Sequence, residues 1–132
     1  MAKKKPKTAV IVIIAAVVIL AGFVLLKPKP EVIPGPYDNF IMCLKNFGAK
    51  MYGNYASKES LMQMSFFGDS LYTFEKSGVY VECNEYGPNP KTKKCNEAGI
   101  NYYPTWIINE GRYAGIQGLN KLSQLTGCSY ES

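Results

Sequence analysis

The stretch "GINYYPTWIINEGRYAGIQGLNKLSQLTG", residues 99–127, decides the fold. Tyr103 and Pro104 open a run rich in aromatic and β-branched side chains. Asn109–Gly111 supplies turn formers, and a second run continues to Ile116. That pattern predicts a β-hairpin over 103–116. Leu119, Leu122 and Leu125 then recur at helical spacing before Gly127, which predicts an amphipathic helix over 118–127.

Toward the N-terminus, "GVYVEC" (78–83) has the β-branched and aromatic content of a strand. "NEYGPNPKTKK" is dense in turn formers and reads as a loop, and "CNEAGI" as a short helical turn. Further out, "YDNFIMCLKNFG" (37–48) places Phe40, Ile41, Leu44 and Phe47 at helical spacing with Gly48 as a stop. "AKMYGNY" (49–55) reads as a short strand. From Ser57 a helical pattern carries Leu61, Met62, Met64, Phe66 and Phe67 as far as Gly68, taken as core-facing, the other reading being a flexible methionine-rich stripe that meets a partner peptide. The predicted order is helix, strand, helix, strand, short helix, hairpin, helix, with no internal repeat.

Residues 8–26, "TAVIVIIAAVVILAGFVLL", contain no charged side chain. Nineteen helical residues span about 28 Å, close to the hydrocarbon thickness of a bilayer. The run is longer than a signal-peptide core and lacks an A-x-A cleavage pattern, so a retained transmembrane signal-anchor is expected. Lys3, Lys4, Lys5 and Lys7 precede it and only Lys27 and Lys29 follow closely. The richer side stays cytoplasmic, which puts residues 1–7 inside as a basic tail and the bulk of the chain outside the cytoplasm. Residues 27–36, with four prolines, form an extended, semi-rigid linker. The remaining residues, 37–132, suffice for one small core.

The formal charge of +5 divides unevenly. Residues 1–36 hold six lysines and one acid, whereas 37–132 hold nine basic and nine acidic side chains. The domain therefore has no net basic character to recruit nucleic acid, and "KTKK" (91–94) reads as a solvated loop. The chain has no histidine, which excludes histidine-dependent triads and haem-type motifs. Cys43, Cys83, Cys95 and Cys128 show no close C-x-x-C spacing, so no metal site is expected. An even cysteine count outside the cytoplasm favours two disulfides, with three connectivities open.

The order of elements, with a proline opening the hairpin, resembles the thioredoxin fold. "AKMYGNY", "YVEC", "CNEAGI" and Tyr103-Pro104-Thr105-Trp106 together are similar to the thioredoxin-like domain associated with bacterial and archaeal vitamin K epoxide reductase homologues. The resemblance covers roughly residues 38–128. It implies an α/β domain with a central mixed sheet flanked by helices and a cis-proline at Pro104. It also implies a Cys-x-x-Cys at the start of the helix after the first strand. In this sequence those two positions are Ser57 and Ser60, and Ala56 stands where an aromatic often precedes the first cysteine.

Serine has no redox couple and cannot form the thiolate that disulfide exchange requires. As a nucleophile it would need an oriented base, and Lys58 and Glu59 on the same turn offer none. Ser57 instead suits a helix N-cap, with Glu59 favourably placed near the positive end of the helix dipole. Cys83 and Cys95 flank an eleven-residue loop; bridging them would tie the second strand to the next helical turn, a closure worth about 3 kcal/mol, and would leave Cys43 to pair with Cys128. Cys83–Cys95 reads as a structural staple or, alternatively, as a labile shuttle pair. Around Pro104, the family's peptide-pairing surface implies a groove formed by Tyr55, Ala56, Tyr103, Thr105 and Trp106; the other reading is a retained fold determinant.

The expectation is a membrane-anchored, extracytoplasmic, non-catalytic binding module that uses no cofactor. Its partner would be an extended polypeptide or a vitamin K epoxide reductase-like membrane protein. The alternative is a thiol–disulfide oxidoreductase using Cys83 and Cys95.

Overall fold

The chain divides into two units, Met1–Val32 and Ile33–Ser132. The computed structural model describes residues 7–25 and 31–131. In the first unit, Lys7–Leu25 forms helix α1, and its side chains from Val10 to Leu20 are exposed on every side. Among the described residues no helix is long and apolar enough to cross a membrane, so the structure does not support the expected transmembrane span over 8–26. The described helix runs from the charged Lys7 to Leu25. Leu26, the basic tail to Pro6 and the linker residues 27–30 lie outside the described residues.

The second unit contains α2 (Asp38–Phe47), β1 (Lys50–Gly53), α3 (Lys58–Ser65), a 3-10 turn (Gly68–Ser70) and α4 (Leu71–Ser77). It continues with β2 (Tyr80–Glu82), α5 (Thr92–Glu97), β3 (Thr105–Ile108), β4 (Gly111–Ala114) and α6 (Leu119–Thr126). The sheet runs β2-β1-β3-β4. β1 is parallel to β2 and antiparallel to β3, and β3 and β4 form the expected hairpin. A mixed four-stranded sheet flanked by helices is consistent with a thioredoxin-like domain, as the sequence implied. The hairpin turns on Asn109, whose φ of 53° lies in the left-handed region that asparagine tolerates. The Tyr103–Pro104 peptide bond is cis.

Alternation along the strands turns Met51, Trp106 and Ile108 onto the core face. There they meet Phe40, Ile41 and Leu44 of α2, Met64, Phe67 and Phe74 from the α3–α4 region, and Leu122 of α6. The rings of Phe67 and Phe74 stack with centroids 4.1 Å apart. The stripe expected over 61–67 is only partly core. Met64 and Phe67 are buried, but Leu61 and Met62 are 50% and 55% exposed. At about 100° per residue, five apolar positions within seven cannot share one face. Helix α4 has no counterpart in the predicted order. Gly68, at φ 48°, breaks the chain direction after α3, and α4 buries fully only Phe74, too little for a periodic signal.

Both expected disulfides are present. Cys43–Cys128 ties α2 to the residue just beyond the stop of α6, and Cys83–Cys95 ties the end of β2 to α5.

Candidate functional site

The turn leaving β1 is shaped by its own side chains. Gly53 ends the strand where a Cβ would lie 2.7 Å from Tyr80 Cε2 and 3.3 Å from Ser60 Oγ, so only glycine fits without displacing them. Asn54 Oδ1 accepts from the Ala56 N–H at 2.8 Å, and Asn54 O accepts from the Ser57 N–H at 2.8 Å. Ser57 is the N-cap of α3, its Oγ accepting from the Ser60 N–H at 3.3 Å and its hydroxyl donating to Glu59 Oε2 at 3.0 Å. Ser60 is fully buried, and its Oγ accepts from the Asn54 N–H at 3.1 Å.

The Glu59 carboxyl is held below its ordinary pKa, first by its own backbone N–H and then by the Ser57 hydroxyl. A carboxylate with lowered proton affinity is a poor base for a hydroxyl. Ser57 is thus the helix N-cap expected from the sequence, and Ser60 is packed beneath the turn.

Pro104 belongs to the same end of the sheet. Tyr52 pairs with Thr105, so extending the antiparallel register by one residue sets Pro104 opposite Gly53. Pro104 and Trp106 are fully buried and Thr105 nearly so. Pro104 O accepts from the Gly115 N–H at 2.8 Å, and Thr105 Oγ1 donates to Tyr102 O at 2.7 Å. Trp106 cannot line a groove, contrary to expectation. β-Strand alternation points it into the core, and its indole N–H donates to Gln63 Oε1 at 3.1 Å. Pro104 and Thr105, also expected at the binding surface, are likewise too enclosed to line it. Of the expected binding residues, Tyr55 and Ala56 are exposed and Tyr103 is half-buried.

Gln63 is the residue the sequence reading missed. It is fully buried on α3, accepts from Trp106 and from the Gln117 N–H at 2.6 Å, and donates through Nε2 to Gln117 O at 2.9 Å. It therefore holds the segment after β4 against α3. Met62 and Ile116, which precede the two partners in sequence, are both exposed apolar side chains. A lone glutamine inside the apolar run 61–67 was the available signal.

A second buried polar group lies on the other side of the turn. Glu82 is 2% exposed, and its carboxylate accepts from Tyr80 Oη at 2.5 Å, from the Asn84 N–H at 2.8 Å and, at 3.4 Å, from the Tyr55 N–H. Burial, followed by that hydrogen bond to Glu82, pushes the pKa of the Tyr80 hydroxyl up, so it stays a donor. Next along the chain, the Cys83 N–H donates to Gly53 O at 2.8 Å, and Asn84 Nδ2 donates to Asn54 Oδ1 at 3.1 Å. Cys83 is half-buried and borders an open groove with Asn84, Tyr86, Thr92 and Asn96, whereas Cys95 is enclosed. Among the described residues no cluster of three or more His, Cys, Asp or Glu side chains could hold a metal ion.

No protein-family model matches the chain. Over 91 residues it is 37% identical to the Arabidopsis thaliana protein named thiol-disulfide oxidoreductase LTO1. The match takes in 67% of this chain and 23% of the relative, so the chain spans about a quarter of that protein's length.

Proposed function

We propose that residues 37–132 form a redox-related, thioredoxin-like binding module that has lost the family's exchange chemistry at the Ser57/Ser60 positions. It holds an extended polypeptide, or a partner such as a vitamin K epoxide reductase-like membrane protein, beside Pro104. The observation carrying this reading is the state of the turn after β1. Its two serines are consumed in starting α3, while Tyr55 in the turn and Leu61 and Met62 on α3 remain 40–55% exposed. Exposed apolar side chains beside a polar turn that carries no thiol of its own suit binding without turnover. In this reading the uncharged run 8–26 tethers the module to a membrane and holds it outside the cytoplasm, as the lysine asymmetry favours.

A second reading is supported by the half-buried Cys83, hydrogen-bonded to the turn through its backbone. An incoming thiolate would attack Cys83 Sγ and expel the Cys95 thiolate. A second thiol on the attacking protein would then displace Cys83, leaving that protein oxidised and Cys83 and Cys95 reduced.

One set of assays separates the two readings. The full chain, given reduced, carboxymethylated lactalbumin as a permanently unfolded probe and insulin reduction by dithiothreitol as the exchange assay, should bind the probe without accelerating reduction. Ser57→Cys/Ser60→Cys should gain exchange activity. Turnover by the unaltered chain that is abolished by Cys83→Ser would overturn the binding reading in favour of the second.

A further inference from the structure

The Cys83–Cys95 bridge and the turn after β1 are joined by a continuous polar network. Asn84, immediately after Cys83, reaches the turn once directly and once through Glu82. Its side chain donates to Asn54 Oδ1 at 3.1 Å, the same oxygen that receives the Ala56 N–H and shapes the turn. Its backbone N–H donates at 2.8 Å to Glu82 Oε1, the oxygen that also accepts from the Tyr55 N–H. Asn84 Oδ1 in turn receives the Tyr86 N–H at 2.9 Å, which folds the loop back on itself. The loop then packs over the buried carboxylate. A Cβ on Gly87 would fall 2.6 Å from Glu82 Cδ, and Lys91 N donates to Glu82 O at 2.7 Å. The loop that covers Glu82 is the one the disulfide closes, over a sequence separation of 12.

We infer that Cys83–Cys95 is a redox latch on the binding face, resting on the binding reading above. The oxidised bridge holds the loop over Glu82 and Asn84, and through them fixes Asn54, Tyr55 and Ala56. A dithiol protein reductant opens it. Its first thiolate attacks the more accessible Cys83 Sγ and expels Cys95 as thiolate, which takes up a proton. Its second thiol releases Cys83 and closes the reductant's own disulfide, so two electrons and two protons have passed to the chain. With the loop untied, Asn84 loses its fixed position. Glu82 is then rehydrated in place of its loop contacts, and the turn loses the acceptors that order it. Bound polypeptide is thereby released without any sulfur of this chain attacking it.

The test compares the oxidised full chain with its Cys83→Ser/Cys95→Ser variant, reading backbone hydrogen exchange at Tyr55, Ala56 and Ser57 and affinity for carboxymethylated lactalbumin. The double variant should exchange about tenfold faster at these amides, the loss of one to two modest hydrogen bonds, and bind the probe correspondingly more weakly. Asn84→Ala keeps the disulfide yet cuts the side-chain link to Asn54, so it should speed the same amides by several-fold while exchange in α6 stays unchanged. This second variant also keeps the inference exposed should the double variant fail to fold. Unchanged turn exchange in both variants overturns the latch. Faster exchange with no probe bound by any form supports the latch as a conformational coupling and defeats only the binding reading beneath it. Equal probe affinity in oxidised chain and double variant, despite faster exchange, overturns the latch as a control on binding.

Discussion

The two disulfides hold one domain but do different jobs. Cys43–Cys128 joins residues 85 apart, and Cys128 sits in the hydrophobic core with Cys43 packed against it. Cys83–Cys95 joins residues 12 apart, outside that core, at the end of the sheet where β1 turns into α3. Loop-closure entropy makes the first the larger constraint on the unfolded chain, about 4.5 kcal/mol against about 3 kcal/mol for the second. The difference teaches that stability and site geometry are secured separately here. The long bridge fixes which helices share the core, and the short one fixes a loop against the turn.

The largest expected effect tests that division directly. Cys43→Ala/Cys128→Ala should lose about 4 kcal/mol in a urea melt, with the relative order of amide protection around Tyr55 and Ala56 preserved. Cys83→Ala/Cys95→Ala should lose about 3 kcal/mol or less, with protection falling first at that turn. A larger global loss from the short bridge than from the long one would break the comparison.

Gln63 sharpens it, because it belongs to both regions. It lies in the core against Trp106, yet it clamps Gln117 at the edge of the binding face. Gln63→Leu fills similar volume but strands the Trp106 indole N–H and the Gln117 N–H. It should cost about 2 kcal/mol, read as a lowered urea midpoint at unchanged slope. It should also loosen the Gly115–Gln117 segment in hydrogen exchange. A variant as stable as the parent would mean that the clamp is replaceable and that the face is held by strand pairing alone.

How much of this could be read from sequence follows the range of each interaction. The hairpin and α6 were legible because side-chain period, turn formers and a terminal glycine all act within a few residues. The helix start at Ser57 was legible for the same reason: its cap, its acid and its first-turn N–H are consecutive. Gln63 was not, since its partners lie 43 and 54 residues away, and neither was the link from Tyr55 to Glu82 across 27 residues; only the folded sheet brings these together. Trp106 was misread as lining a groove because an aromatic next to a proline carries the same signal whether it faces in or out. β-Strand alternation and Gln63 settle that it faces in. Helix α4 escaped notice because seven residues with a single fully buried side chain leave no periodic trace. The cysteine count pointed to two bridges and the loop between Cys83 and Cys95 suggested the short one, but only the fold brings Cys43 beside Cys128.

The smallest effects lie wholly within the turn and ask whether it is an ordinary helix start. Ser57→Ala removes the N-cap acceptor for the Ser60 N–H and should cost about 1 kcal/mol at neutral pH. Glu59 depends on the same hydroxyl, and the sign of its contribution follows from its lowered pKa. Because the folded-state value lies below the ordinary 4.5, the ionised carboxylate favours the folded chain. That contribution is fully present above about pH 4.5 and is lost as pH falls through the lower folded-state value. Glu59 is fully exposed, so the effect is small and weakens further with added salt. The stability difference between the parent chain and Glu59→Gln should therefore shrink on acidification below that point. A carboxyl-carbon NMR titration should show Glu59 moving back toward its ordinary pKa in Ser57→Ala. A Glu59 titration indifferent to Ser57→Ala would show that the hydroxyl is not its partner in solution, and the turn would then need another account of why two serines sit where sulfur is expected.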